Sequence, residues 1–169
     1  MLYLINYRNT NSRKCKSITE LPFPEAKAVA DHLYQTSLCT AHKRFGPNFA
    51  QYYEDRKKAE QWLYDHFINS GGNPQSMHPL YFVVQYTEEP VFDFGNYQTF
   101  RLNLNDIADE DVSFSLGDSM HLYYQGALNH LLTKNDLLEL LRTHESDMHI
   151  FLSKTGLIEA HLWNHSYCR

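Results

Sequence analysis

Nowhere in the 169 residues do eighteen apolar residues follow one another, so no membrane-spanning helix is expected. The opening MLYLINYRN has no basic leader and no long apolar core. It does not read as a signal peptide, and the cytosol is the expected compartment. The three cysteines, Cys15, Cys39 and Cys168, form no CxxC pair and no disulfide framework. Reduced thiols are the simplest account of them in a cytosolic protein. There is no P-loop, Rossmann glycine pattern, zinc-finger spacing, EF-hand loop or RNP-like strand signature. No internal repeat or long low-complexity segment is present, and no motif calls for a cofactor.

What is there is aromatic. Ten Phe, twelve Tyr and a 43% hydrophobic fraction argue against general disorder. The length suggests one domain over residues 1–169. Such a chain buries roughly 70% of the surface its extended form exposes. The net charge of -5 hides an asymmetry: residues 1–60 carry ten Lys or Arg against six Asp or Glu, and residues 61–169 carry five against fourteen. Mutual attraction of the two halves within one fold accounts for this; an anion-binding surface built from the first half is the sharper alternative.

Residues 48–70 organise the chain. Phe49, Tyr52, Ala59, Leu63 and Phe67 recur at helical spacing, flanked by Tyr53, Trp62 and His66. Asn48 is placed to cap the start and Gly71-Gly72 to end the helix. Arg56 falls on or near the apolar stripe, where a solvated charge does not normally point. Before it, Ala26, Val29, Ala30 and Leu33 trace one face of another helix, which follows the stiff entry Leu21-Pro22-Phe23-Pro24. The two helices predict an αα-hairpin.

Strands are predicted at 1–7, 80–86, 97–104, 112–116, 148–152 and 157–163. The run LYFVVQY at 80–86 reads as the central, best-buried strand. Residues 91–94 read as a short strand or packed loop followed by a Gly95-Asn96 turn, and 120–124 as a strand or a short helix. Thr133, with Asp136 three residues on, caps a leucine-rich helix over 133–142. Lys154-Thr155-Gly156 is placed as a hairpin turn between the last two strands. Together these predict one α+β domain: a mixed or antiparallel sheet of five to seven strands, packed against the N-terminal helical hairpin and the short helix of the C-terminal half.

The candidate chemistry is scattered. Arg56, with His78, Asp118 and His121, has the residue types for acid–base and electrostatic catalysis on a phosphate ester, because imidazole titrates near neutral pH. Arg44, Tyr52, Tyr53 and Lys57 are the corresponding ligand-binding candidates, cations beside rings suited to a nucleotide. The structural alternative for Arg56 is an ion pair with Glu60 one turn later. Arg13 and Lys14, in the polar stretch after the first strand, suit phosphate contact or a solvated connection.

Gly117-Asp118-Ser119 resembles the nucleophile turn of the GDSL/SGNH hydrolases, in which the serine attacks. Only the tripeptide matches: it comes late in the chain and no Asp-x-x-His follows it. A β-turn with Asp118 capping local amides is the competing reading. His161, His165 and Cys168 have zinc-ligand chemistry, but a fourth ligand is not evident and no metal is assigned. The acidic run Asp106, Asp109, Glu110 and Asp111 reads as a solvated loop.

The chain has the general look of a small bacterial cytosolic protein. The leading expectation is a binding or regulatory protein acting through protein contacts, with the aromatic helix face exposed to a partner or a second copy. The alternative is an enzyme acting on a nucleotide, RNA or phosphate ester. An anionic or nucleotide ligand fits either reading, and a nucleic-acid partner is a third.

Overall fold

The structure, a computed structural model, describes residues 1–8, 16–36, 40–87, 89, 91, 97–145, 147, 150–151, 154 and 156–168. Five strands form one sheet: β1 (Tyr3–Arg8), β2 (Leu80–Gln85), β3 (Gln98–Asn103), β4 (Val112–Leu116) and β5 (Ile158–Leu162). Their order is β3-β1-β2-β5-β4, with every neighbouring pair antiparallel. The LYFVVQ run lies at the centre of the sheet, as its continuous apolar character requires.

Side-chain alternation gives the sheet two unlike faces. Leu4, Phe82, Val84, Val112, Phe114, Ile158, Ala160 and Leu162 point to one side and build an apolar core with Leu137 and Leu141. Those two leucines come from α4 (Lys134–Thr143). Each large side chain fully buried there contributes about 1.5–3 kcal/mol relative to exposure. The opposite face carries Tyr81, Ser113, Glu159 and His161, which sit together by register: Tyr81 and Ser113 both pair with His161 across neighbouring strands.

Helix α1 (Phe23–Thr36) packs on α2 (Phe49–Asn69) through Ala26, Ala30 and Leu33 against Phe49, Tyr52, Tyr53 and Ala59. The small residues let the two backbones approach. Helix α2 ends in a Schellman motif: Gly72 N–H donates to Phe67 O at 2.9 Å and Gly71 N–H to Ile68 O at 3.0 Å. Gly71 takes φ +92°, and a Cβ on Gly72 would lie 2.5 Å from the Phe67 ring, so both positions call for glycine. The capping box of Thr133 and Asp136 starts α4 as expected.

Two expectations are corrected and one open choice is decided. Asn48 makes no side-chain cap bond, because its backbone (φ -92°, ψ 15°) is not extended; Gly46 O takes the Phe49 amide instead. Of the two readings of 120–124 the short helix holds: Ser119–Tyr124 is α3, and the Asp118 carboxylate caps it by accepting from His121 N–H, as expected of Asp118. Ile150 and Phe151, read as strand, are helical, and their amides donate to Asp147 O. The last strand therefore pairs with β2 and β4 rather than in a closing hairpin. Arg13, Lys14, Cys15, Cys39, residues 92–96 and Thr155 lie outside the described residues, and with them the basic arm, the Gly95-Asn96 turn and part of the last predicted turn. Among the described residues, no helix is long and apolar enough to cross a membrane.

Candidate functional site

The polar sheet face is roofed by α2, and the inward charge on that helix meets it. Arg56 is 6% exposed and Glu60 1% exposed. The Arg56 guanidinium lies 3.6 Å above the Tyr81 ring centre, donates to Ser119 Oγ at 3.3 Å, and has its Nε 3.6 Å from Glu60 Oε1. Glu60 then gathers a ring of donors. Thr19 Oγ1 and His78 Nδ1 each stand 2.7 Å from Oε2, and the Tyr81 hydroxyl donates to Oε1 at 3.0 Å. With Arg56 alongside, the roughly four lone-pair sites of a carboxylate are filled.

A second buried carboxylate lies next to this one. Glu159 Oε1 accepts from Ser119 N–H and from His161 Nε2, both at 3.1 Å. His161 Nδ1 lies 3.3 Å from Ser113 Oγ, which in turn accepts the Trp163 indole N–H at 2.9 Å. Ser113 and Glu159 thus hold the two ring nitrogens of His161 from opposite sides, Nδ1 toward the hydroxyl and Nε2 toward the carboxylate.

The electrostatics keep the carboxylate and the phenol in defined states. Burial acts to raise the Glu159 pKa, but the His161 hydrogen bond and charge, Arg56 and Ser119 outweigh it and hold it at about 2. Burial pushes the Tyr81 phenol well above its ordinary range, with Arg56 opposing and Glu60 and Glu159 adding, so Tyr81 is a neutral donor. Burial likewise works to lower the pKa of Arg56, yet Tyr81, Tyr52, Glu159 and Glu60 together raise it.

A pH dependence follows from Glu159. Its folded pKa lies below the ordinary 4.5, so its contribution is fully present above pH 4.5 and is lost as pH falls toward 2. That contribution is on the order of 3 kcal/mol. Urea unfolding between pH 5 and pH 2 is expected to show the native chain losing that much more stability than a Glu159→Gln variant. Parallel pH profiles for the two proteins would show that Glu159 is not held ionised.

Ser113, His161 and Glu159 have the connectivity of a nucleophile, a base and an orienting acid. They do not work as one in this fold: Ser113 and His161 are both 0% exposed, and the Ser113 hydroxyl is flanked by the Trp163 indole. Of the catalytic candidates, Arg56 and His78 are brought together through Glu60. Asp118 is occupied by the His121 amide, while the His121 side chain is exposed. Tyr52 and Tyr53 are buried between α1 and α2, with the Tyr53 hydroxyl donating to Leu21 O. Arg44 and Lys57 are exposed, lying 5.4 Å from the Tyr52 ring centre and 5.3 Å from the Tyr53 ring centre respectively. The zinc-type residues are otherwise engaged: His161 bonds Glu159, and His165 Nε2 donates to His78 O at 2.9 Å. Among the described residues, no group of three or more potential metal ligands forms.

Sequence reasoning passed over Ser113, Glu159 and Trp163. The available signal was the alternation in IEAHL and VSFSL, which gives each strand one polar side. A polar strand side is ordinarily solvated; here it is buried beneath Arg56 and Glu60.

An open concavity lies elsewhere, between β1 and α1. It has a volume of about 460 Å³. Val29, Leu33, Phe45, Leu80 and Phe100 supply apolar wall, and Arg8, Lys16, His32 and His42 supply basic groups. No Asp or Glu belongs to its described lining, nor does any of Arg56, His78, Asp118 or His121. The turn at Ile18–Glu20 joins the two regions, since Ser17 and Ile18 line the cleft while Thr19 bonds Glu60.

Compared with protein-family models, with curated proteins and with solved structures, the chain finds no match.

Proposed function

We propose that this chain is a non-catalytic binding or regulatory protein, with the cleft between β1 and α1 as its working surface. One observation carries the reading: the chemistry-bearing residues of the polar core satisfy one another, while the open cleft contains none of them. Glu60 has no lone pair left for a substrate proton, and a hydrophilic reactant has no approach to Ser113 or His161. A cleft of about 460 Å³ falls within the size range of small-molecule sites.

Binding to a protein partner through the aromatic face of α2 loses its surface, because Tyr53 and Phe67 are interior. Trp62 is half-buried and stacks on His66 with ring centres 3.6 Å apart. The phosphate-ester reading needs Arg56 and His78 to face a reactant, and both are committed to Glu60.

The test is a small-fragment screen by NMR on the native chain and on Ala28→Trp. Ala28 is exposed on α1 and lines the cleft, so an indole there fills it at a stability cost of about 0.5 kcal/mol or less. Fragments are expected to bind the native chain and to lose at least about tenfold in affinity for the variant, a difference of about 1.4 kcal/mol. Equal binding to both proteins would place the working surface elsewhere.

A further inference from the structure

We infer that the cleft selects a small amphiphilic anion, with a carboxylate or phosphate group held by Arg8 and Lys16 and an apolar body against Val29, Leu33 and Phe100. This rests on the reading of the cleft as a binding site and adds the class of ligand.

Charge is the first argument. The chain is net negative, yet the described lining of this cleft has basic groups and no carboxylate. Arg8 is the second. Its Nε is buried and has no hydrogen-bond partner among the described residues, and its guanidinium stands 5.3 Å from the Phe100 ring centre. A buried donor left unpaired is costly, and Arg8 lines the cleft, so a small turn of its guanidinium toward an anion there would pair it. A guanidinium engages a carboxylate or phosphate through two parallel N–H···O bonds, so an anion on Arg8 gains geometry as well as charge. Beside that charge lie aliphatic and aromatic side chains, which leave a bare inorganic ion's surroundings half unused.

The cation count limits the ligand. Burial, helped by Arg44, lowers the His42 pKa to about 4, so His42 is neutral at neutral pH. Arg8 and Lys16 are then the permanent charges of the lining, enough for a monoanion or dianion. A nucleic acid is gripped differently, by basic groups tracking a long backbone with aromatic platforms for successive bases.

Isothermal titration of the full chain with decanoate, decanol and inorganic phosphate tests this. Decanoate is expected to bind the native protein at least tenfold more tightly than decanol and than phosphate. Arg8→Met is expected to remove most of the advantage over decanol, with its melting temperature checked alongside. The native comparison stands without the variant. Equal affinity for decanoate and decanol overturns anion selection while leaving the cleft a binding site. Phosphate binding as tightly as decanoate overturns the apolar half. Binding of none of the three, together with fragments indifferent to Ala28→Trp, overturns the cleft itself. Tight, steeply salt-dependent binding of a single-stranded oligonucleotide that decanoate does not displace also overturns the proposal.

Discussion

Replacing Glu60 with alanine is expected to lower the free energy of unfolding by about 3–5 kcal/mol, the cost of breaking a buried charged pair by removing one partner. The side chain is almost wholly buried, and it terminates hydrogen bonds from three separate parts of the chain: Thr19, His78 and Tyr81. Its loss leaves Arg56 facing the sheet without its nearest carboxylate and strands three donors away from water. Glu60→Gln keeps the shape and one good acceptor, so its cost is expected to be smaller, about 1–3 kcal/mol. Urea denaturation of the three proteins at neutral pH measures both. An alanine variant as stable as the native chain would mean that water already reaches these groups.

Trp163→Ala is expected to cost about 3–5 kcal/mol by emptying a large, well-packed site. Trp163 is fully buried and stacks on Phe67 with ring centres 5.4 Å apart, in a cluster with Leu63 and Leu131. Its indole N–H also holds Ser113, which faces His161. For a chain of this size such a loss lowers the melting temperature by about 6–20 °C. Trp163→Phe keeps a stacked ring on Phe67 while removing the N–H and part of the indole's volume, so an intermediate cost of about 2–3 kcal/mol is expected. If Phe costs as much as Ala, the stacked ring on Phe67 contributes little, and the indole N–H and the volume beyond a phenyl ring carry the effect.

The fold was largely legible in the sequence because its apolar pattern is strong where the structure is regular. The continuous LYFVVQ run is the central strand, the aromatic stripe after Asn48 is the long helix, and Thr133 with Asp136 caps α4. The failures lie where local signal is ambiguous. Residues 148–152 are a short, almost wholly apolar run, which periodicity alone cannot assign to strand or helix, and Ile150 and Phe151 are helical. Asn48 is a good capping residue type, but it sits inside the turn closed by Phe49 N–H on Gly46 O, with a backbone that is not extended, and its side chain makes no cap bond.

The site was legible only in part. Arg56 stood out as a charge on an apolar stripe, and its pairing with Glu60 follows from helix geometry. What completes the network comes from distant strands. Glu159 and His161 share one side of β5 by alternation, but Ser113 joins them only through the register of β5 with β4, which no local pattern reveals. The cleft was less legible still, because Arg8, Val29 and Phe100 belong to three elements and meet only in the folded sheet and helix layer.

The most direct test of where this protein works is a map of amide chemical shifts on titrating the native chain with decanoate. The expected changes centre on residues 6–8, 16–18 and 28–33, with Ser119, Glu159 and His161 unmoved. Changes centred on Ser119, His78 and Tyr81, with the β1–α1 cleft silent, would contradict this account and return the function to the polar core.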